Sequence, residues 1–408
     1  GEPVFLANTG DGFERRDVGL DVSLDGGAGV TVGDYNRDGH LDLFIVHNGN
    51  WNDRIPQRNA NGDALNGNPN YLFRGTPSGF ERVEDAGFQG ERWSLAASFV
   101  DLNGDGHPDI HVANDYGYDV VYTNRGDGTF RHRTVPGTNL HGMASEVADV
   151  DRDGTPDVFV TNIEFRNPDR IWELQSGLSV ANRGNQLLLV QENGTLEDVA
   201  TEYNVRRGGW GWAAELIDLN NDGRFDLLHT TKSYLWKTQT GDWEGVNPPP
   251  ALWTGRENRT FERRNATAAG FKGSNGRGLA TLDFDRDGDM DVIVADTSGP
   301  FKLYENTGTC GNWLQVRVAN SQGTTALGAE VYVETGEGTR HQVQRSESDF
   351  FSQSSRWRHF GLGGAAVERV RVVYPDGTER TFDDVETNRR VLVQTDGSLT
   401  YVGNQSEQ

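Results

Sequence analysis

Short apolar–polar alternations recur along the whole chain, each bounded by Gly, Asn and Asp clusters. Val30, Val32 and then Leu41, Leu43, Ile45 alternate with polar or small residues, and Val121-Tyr-Thr-Asn124 runs through a Gly-Asp-Gly turn to Phe130. A period of two with turn chemistry between runs predicts β-strands joined by hairpins. No stretch carries a leucine-rich 3.6-residue period, so the alternation predicts an all-β chain.

Five of the hairpin tips share one pattern, D-x-[DN]-x-D-G-x-x-D. Their residues at positions 1, 3, 5, 7 and 9 are Asp34, Asn36, Asp38, His40, Asp42; Asp101, Asn103, Asp105, His107, Asp109; Asp149, Asp151, Asp153, Thr155, Asp157; Asp218, Asn220, Asp222, Arg224, Asp226; and Asp283, Asp285, Asp287, Asp289, Asp291. Side-chain oxygens at 1, 3, 5 and 9, with the backbone carbonyl at 7, suit one hard cation, and the glycine at 6 allows the sharp turn. An EF-hand would add flanking helices and a bidentate Glu at position 12, and this chain has neither. About five structural Ca²⁺ ions are expected, tying hairpin tips and doing no chemistry.

The first aspartates are separated by 67, 48, 69 and 65 residues. Each unit continues into a second strand pair, such as Tyr71-Leu-Phe73 to Phe80 or Ala251-Leu-Trp253 to Phe261, so about four strands fill a unit. Four-stranded units at this period predict the blades of a β-propeller. The expected fold is all-β: a calcium-binding β-propeller with five clear repeat units and five to seven blades, over residues 1–308, followed by a small C-terminal β-domain over 309–408. The opening run Val4 to Phe13 reads as the back half of a blade, which predicts ring closure by the two ends of the repeat region.

The D-x-[DN]-x-D-G-x-x-D loops resemble the FG-GAP (VCBS) repeats of integrin α-subunit heads. Asn312-Trp313-Leu314, Gly328-Ala329, Ser352-Gln353-Ser354, His359-Phe360-Gly361-Leu362-Gly363 and Tyr374-Pro375-Asp376-Gly377 resemble the ASPIC/UnbV domain. In that order the parts are similar to the secreted cartilage acidic protein family and its bacterial relatives. The resemblance implies a seven-bladed propeller, whereas five units are visible here.

The chain has 408 residues and a net charge of −23. Such a charge argues against nucleic acid and anionic membranes. It is partly structural, since seventeen aspartates hold positions 1, 3, 5 or 9 of the loops. One cysteine, Cys310, excludes an internal disulfide. No apolar run reaches the ~20 residues of a spanning helix, so no membrane insertion is expected. The absence of an initiator Met and a signal peptide reads as a mature or trimmed form. Millimolar calcium outside cells would fill such loops, which points to a secreted, periplasmic or cell-surface protein. Sequons occur at Asn193, Asn258, Asn265 and Asn404, relevant in a glycosylating host.

Residues preceding each loop belong to first strands, which line a propeller's channel. Trp93, His141, Trp210, Trp212 and Arg277, with Tyr116 and Tyr118 just past a second strand, are therefore the candidate ligand-binding residues. Their aromatic faces suit a sugar or a cation. Two functions follow. One is an extracellular binding module for a protein or glycan. The alternative is an enzyme with a channel-mouth site taking a small apolar substrate or a polysaccharide, in which Asp115 or Glu215 acts as a buried carboxylic acid in an isoprenoid cyclase or a polysaccharide lyase or hydrolase. No G-x-S-x-G, H-E-x-x-H or phosphate loop is present. A basic concentration, Arg340-His341, Arg356 to His359 and Arg369 to Arg371, is placed either on a solvated face or against the acidic propeller.

Overall fold

A computed structural model describes residues 2–24, 26–50, 55–59, 62–138, 140–164, 184–191, 194–237, 243–308, 311–346 and 350–403. Trp51, Cys310 and the sequon asparagines Asn193 and Asn404 lie outside the described residues. Among those described there is no helix, and none long and apolar enough to cross a membrane.

Five antiparallel sheets follow one another in chain order; the hairpin Tyr234–Lys237 and Trp243–Val246 is inserted within the fourth as a sheet of its own, and the short strand Leu140–His141 adds to the second. Blade 1 is Ala28–Gly33, Asp42–His47, Tyr71–Thr76 and Gly79–Arg82. Blade 2 is Trp93–Val100, Asp109–Gly117, Val120–Asn124 and Phe130–Thr134. Blade 3 is Glu146–Ala148, Asp157–Val160, Gln186–Val190 and Leu196–Asp198. Blade 4 is Gly211–Ile217, Asp226–Thr231, Ala251–Gly255 and Phe261–Arg264. Blade 5 has three strands, Gly276–Leu282, Asp291–Asp296 and Lys302–Tyr304. Four-stranded meanders packed face to face are the propeller arrangement.

The alternation in the sequence becomes burial between blades. Phe44, Phe99, Ile110 and Tyr122 fill the space between blades 1 and 2, and Val147, Val158 and Leu188 pack with Ala96 and Ala113 between blades 2 and 3. Phe159, Leu187, Leu227 and Trp253 do the same between blades 3 and 4. Glycines at strand ends permit the close approach: a Cβ on Gly33, the last residue of its strand, would stand 2.7 Å from the Phe99 ring, and one on Gly276, the first of its strand, would stand 2.9 Å from Thr230.

The repeat ends do not close the ring as the sequence suggests. The hairpin Phe5–Asn8 and Phe13–Arg16 forms a two-stranded sheet of its own. The chain after it lies against blade 1, where the Phe80 amide donates to Val18 O at 2.7 Å and Val22 packs on Ile45 and Phe73. Instead, a segment of the C-terminal domain runs between blades 5 and 1. Leu279 and Thr281 amides donate to the Ser352 and Ser354 hydroxyls at 3.1 and 2.9 Å, and the Ser355 amide donates to Thr281 O at 2.9 Å. On the other side the Thr31 hydroxyl donates to Ser346 O at 3.2 Å. Serine hydroxyls here satisfy first-strand amides that a neighbouring blade would leave to water.

The C-terminal domain pairs two four-stranded sheets. One holds Asn312–Val318 between Arg358–Gly363 and Arg389–Val393, the latter pair parallel, with Leu399–Val402 at its edge. The other holds Glu330–Thr335 between Gly338–Val343 and Val367–Val373, with Glu379–Asp383 outside. Leu314, Val316, Val331, Val333, Phe360, Val370 and Val391 form its core.

Candidate functional site

Each D-x-[DN]-x-D-G-x-x-D loop joins the first and second strands of its blade, so all five tips lie at one end of the ring. Their backbones agree closely. Position 4 is left-handed in every loop (φ 57° at Arg37, 70° at Gly104, 59° at Arg152, 58° at Asn221, 69° at Arg286), and the position 6 glycines have φ from 84° to 97°. The position 1 carboxylate accepts the position 6 amide, at 2.9, 2.7, 3.1, 2.6 and 3.1 Å in chain order. The position 5 carboxylate accepts the position 7 amide, as Asp38 does from His40 at 2.9 Å and Asp153 from Thr155 at 2.7 Å.

The position 9 aspartates act as brackets. Asp42 accepts the Tyr35 amide at 2.9 Å and the Gly75 amide of the third strand at 2.8 Å. Asp109, Asp157, Asp226 and Asp291 repeat both bonds in their own blades. Side chains at position 7 point to neighbours: Arg224 pairs with Asp222 at 2.6 Å, His40 Nδ1 lies 3.2 Å from Asp38, and Asp289 accepts the Asn221 amide group at 2.8 Å.

The donor set fits a hard cation. Carboxylate oxygens of Asp149, Asp151 and Asp153 lie within 4.8 Å of one another, as do those of Asp283, Asp285 and Asp287. Asn36, Asn103 and Asn220 supply the amide oxygen at position 3 of the other three loops. Burial pushes Asp149 up to about 6 and Asp218 up to about 8, and neighbouring aspartates add to the effect in both. Asp283 Oδ1 is buried with no hydrogen-bond partner among the described residues. A cation would satisfy these groups.

The C-terminal domain covers this loop end. Gln315 Nε2 donates to Asp283 at 2.9 Å and the Arg390 guanidinium pairs with the same carboxylate at 2.9 Å. His359 Nε2 lies 2.7 Å from Asn221 Oδ1, and Arg345 pairs with the buried Glu146 at 2.8 Å. A Cβ on Gly288 would overlap the Trp313 indole. Four of the seven basic residues of the concentration, Arg340, His341, Arg358 and His359, are thus buried, while Arg369 pairs on the domain's own surface with Asp383 at 2.8 Å.

From this covered end residues 350–355 reach into the ring. Phe350 lies in one apolar cluster with Leu95, Met143, Ile163, Ala213 and Leu279, which come from blades 2 to 5 and the chain between them, and its ring stands 4.6 Å from Trp212. The channel is filled there.

The opposite mouth holds most of the candidate ligand residues. His141 Nδ1–H donates to Asp115, both paired in register across two strands. Tyr116 stands edge-on to His141 at 4.7 Å and to Trp93 at 6.0 Å, with a left-handed backbone (φ 61°) that a bulky residue adopts only under constraint. Ala64, whose amide donates to Tyr116 O at 3.0 Å, supplies part of that constraint. Trp93 is fully buried against Gly49, so it is wall and not surface. Tyr118 is half-buried, its amide donating to Asp63 at 3.2 Å.

The aromatic faces are occupied by the chain's own cations. Lys232 Nζ lies 3.9 Å above Trp210, the Arg277 guanidinium 4.1 Å above Trp212, and that of Arg58 5.9 Å from Tyr116. Burial lowers Lys232, with Arg277 adding to the effect, and burial brings Arg277 down to about 10. Arg58 and Lys232 carry no signature in the sequence, because an insertion and the two-residue link after Asp226–Thr231 bring them to the mouth. Glu215 is elsewhere: the Ser354 hydroxyl donates to it, and it lines a cleft shared with Arg345, His341 and Arg358 under the C-terminal domain. Asp115 and Glu215 therefore do not share a site.

Residues 101–160 match the family described as FG-GAP-like repeat, and residues 319–399 match ASPIC and UnbV. The chain joins an FG-GAP-like repeat to an ASPIC/UnbV region. It is 25% identical over 283 residues to cartilage acidic protein 1 of Xenopus tropicalis and 25% identical over 285 residues to that of Homo sapiens, 66% of this chain in both alignments. The aligned part is 40% and 39% of those relatives' own lengths. Among solved structures it overlaps a glycoside hydrolase family 43 β-xylosidase/α-arabinofuranosidase from a compost metagenome (13% identity, TM-score 0.34, 73% of this chain and 93% of that one). It also overlaps the Vibrio cholerae biofilm matrix protein Bap1 (11% identity, TM-score 0.27, 95% of this chain and 62% of that one).

Proposed function

We propose that this FG-GAP/ASPIC-UnbV chain is an extracellular recognition module, stapled by about five Ca²⁺ ions, that presents the propeller mouth opposite the calcium loops to a protein or glycan. The observation that carries this reading is the asymmetry of the ring. One end is covered by the C-terminal domain and the channel is filled by Phe350, so the accessible chemistry is at the other end. There Trp210, Trp212 and Tyr116 underlie Lys232, Arg277 and Arg58. Cations held on aromatic rings in a half-buried mouth suit carboxylate or hydroxyl groups of a ligand. Calcium sites at the far end would then fix blade geometry without touching the ligand. Extracellular calcium concentrations suit loops of this kind.

The test is binding of the calcium-loaded chain to an immobilised panel of neutral and acidic glycans and extracellular matrix proteins. Retention should fall at least tenfold in K232A/R277A, with thermal stability and calcium content unchanged. Equal retention by that variant would remove the mouth as the ligand face.

One observation favours a second reading. The buried His141 is hydrogen-bonded to the partly buried Asp115 beside Tyr116, the arrangement of a general base with its orienting carboxylate. In that reading Asp115 orients His141 and is not itself the acid. Turnover of a polysaccharide that survives H141A unchanged would eliminate it.

A further inference from the structure

A second concave site lies on the flank of the propeller, away from the mouth. It has a volume of about 400 Å³, and five guanidiniums line it, those of Arg152, Arg224, Arg256, Arg259 and Arg340, against the carboxylates of Asp222, Glu257 and Glu337. Four separate elements contribute: the calcium-type loop of blade 3, that of blade 4, the turn between the third and fourth strands of blade 4, and the hairpin of the C-terminal domain. On a chain with a net charge of −23, arginines gathered from four elements are a local exception to the acidic surface.

Their pairing is incomplete. Arg224 pairs with Asp222 at 2.6 Å, Arg256 with Glu262 at 3.1 Å and Arg340 with Glu337 at 3.6 Å. Among the described residues neither Arg152 nor Arg259 has an ion-pair partner. Arg152 donates to the carbonyl of Gly223. Arg340, 9% exposed, keeps a buried Nε with no partner among the described residues. Arg259 is presented by a tight turn in which its amide donates to Arg256 O at 3.0 Å and its φ is 64°. Like charges held together in a half-buried cleft leave a site short of negative charge, and guanidinium forks match tetrahedral oxyanions bidentately.

We propose that this cleft binds a sulfate or phosphate group, either as the free ion or as an ester on a glycan, clamped between Arg152, Arg259 and Arg340. The site is independent of the mouth and of the reading given to it.

The test is calorimetric titration of the calcium-loaded full chain with sodium sulfate, with a sulfated disaccharide, and with the same disaccharide unsulfated. Sulfate-dependent binding should weaken at least tenfold in R259Q, which alters an exposed side chain, and should be unaffected by R277Q at the mouth. R152Q gives the same readout from a second position. A disaccharide that binds tenfold more tightly than the ion identifies a glycan ester as the ligand; equal affinities identify the free ion. Absence of heat with both sulfated probes, or unchanged affinity in both R259Q and R152Q, overturns the proposal.

Discussion

The Phe350 ring meets the Trp212 indole at 4.6 Å and 62°, edge to face, although the two residues belong to different domains. Phe350 is 5% exposed and adds from outside the propeller to the apolar filling made by Leu95, Ala213 and Leu279 of the first strands of blades 2, 4 and 5. Phe350→Ala should cost about 3–5 kcal/mol by loss of burial and a residual cavity. Denaturant unfolding of both proteins measures it. A change below 1 kcal/mol would mean that the channel collapses without its plug.

Chelation is the second prediction. If the five loops hold calcium, each occupied site stabilises the folded state by about 2.7 kcal/mol when free calcium is a hundred times its Kd. EGTA should lower the melting temperature by well over 10 °C, and readded calcium should restore it. Asp151→Ala, which deletes the position 3 ligand of the third loop, should reduce bound calcium by one ion. An unchanged melting temperature in EGTA would leave the loops as plain turns.

Glu146 and Arg345 pair at 2.8 Å with both side chains almost wholly enclosed, one from blade 3 and one from the C-terminal domain. Removing either partner leaves a buried charge and should destabilise by about 3–5 kcal/mol. The double variant E146L/R345M should recover much of that loss. Additive losses in a double-mutant cycle would show that the two groups act separately.

Acid sensitivity follows from two core histidines. Burial brings His111 and His229 down to about 3. His229 Nδ1 donates to Thr230 O at 2.9 Å and its Nε2 lies 3.2 Å from the Asn185 amide, which fixes a neutral ring. In the unfolded chain these groups take up protons near 6.5. The neutral-histidine contribution is therefore complete above that pH and is lost as pH falls from 6.5 toward 3, by about 1.4 kcal/mol per unit for each group. H111Q/H229Q should show a shallower loss of stability than the parent between pH 6 and 4, measured by denaturant midpoint. Parallel slopes would assign the acid loss to other groups.

The glycine at position 6 offers a local test of loop geometry. Gly223 has φ 85°, and its amide donates to Asp218 at 2.6 Å. Gly223→Ala should destabilise by about 1–2 kcal/mol and weaken the fourth cation site, because a Cβ is strained in that backbone region and would overlap the Arg340 guanidinium, which must shift. Calcium titration of the variant reads both effects; unchanged affinity would mean that the loop tolerates a rebuilt turn.

What the sequence determined by itself is local. The alternation of Val30, Val32, Leu43 and Ile45 around Asp34 to Asp42 dictates a hairpin, and the D-x-[DN]-x-D-G-x-x-D spacing dictates how its tip turns, because period-two patterning and glycine φ are properties of a few consecutive residues. Repetition of that unit sets the blades. The tertiary structure decided what meets across the ring. Ser352, Ser354 and Ser355 take the place that the sequence assigns to Val4 to Phe13, since hydrogen bonding to Leu279 and Thr281 depends on how two domains dock. Trp93 became wall, Glu215 turned under the C-terminal domain, and Lys232 and Arg277 covered the tryptophans, because each outcome depends on where distant segments bring their side chains. Arg152, Arg259 and Arg340 lie far apart in sequence and share one cleft only when blades 3 and 4 and the second domain pack together.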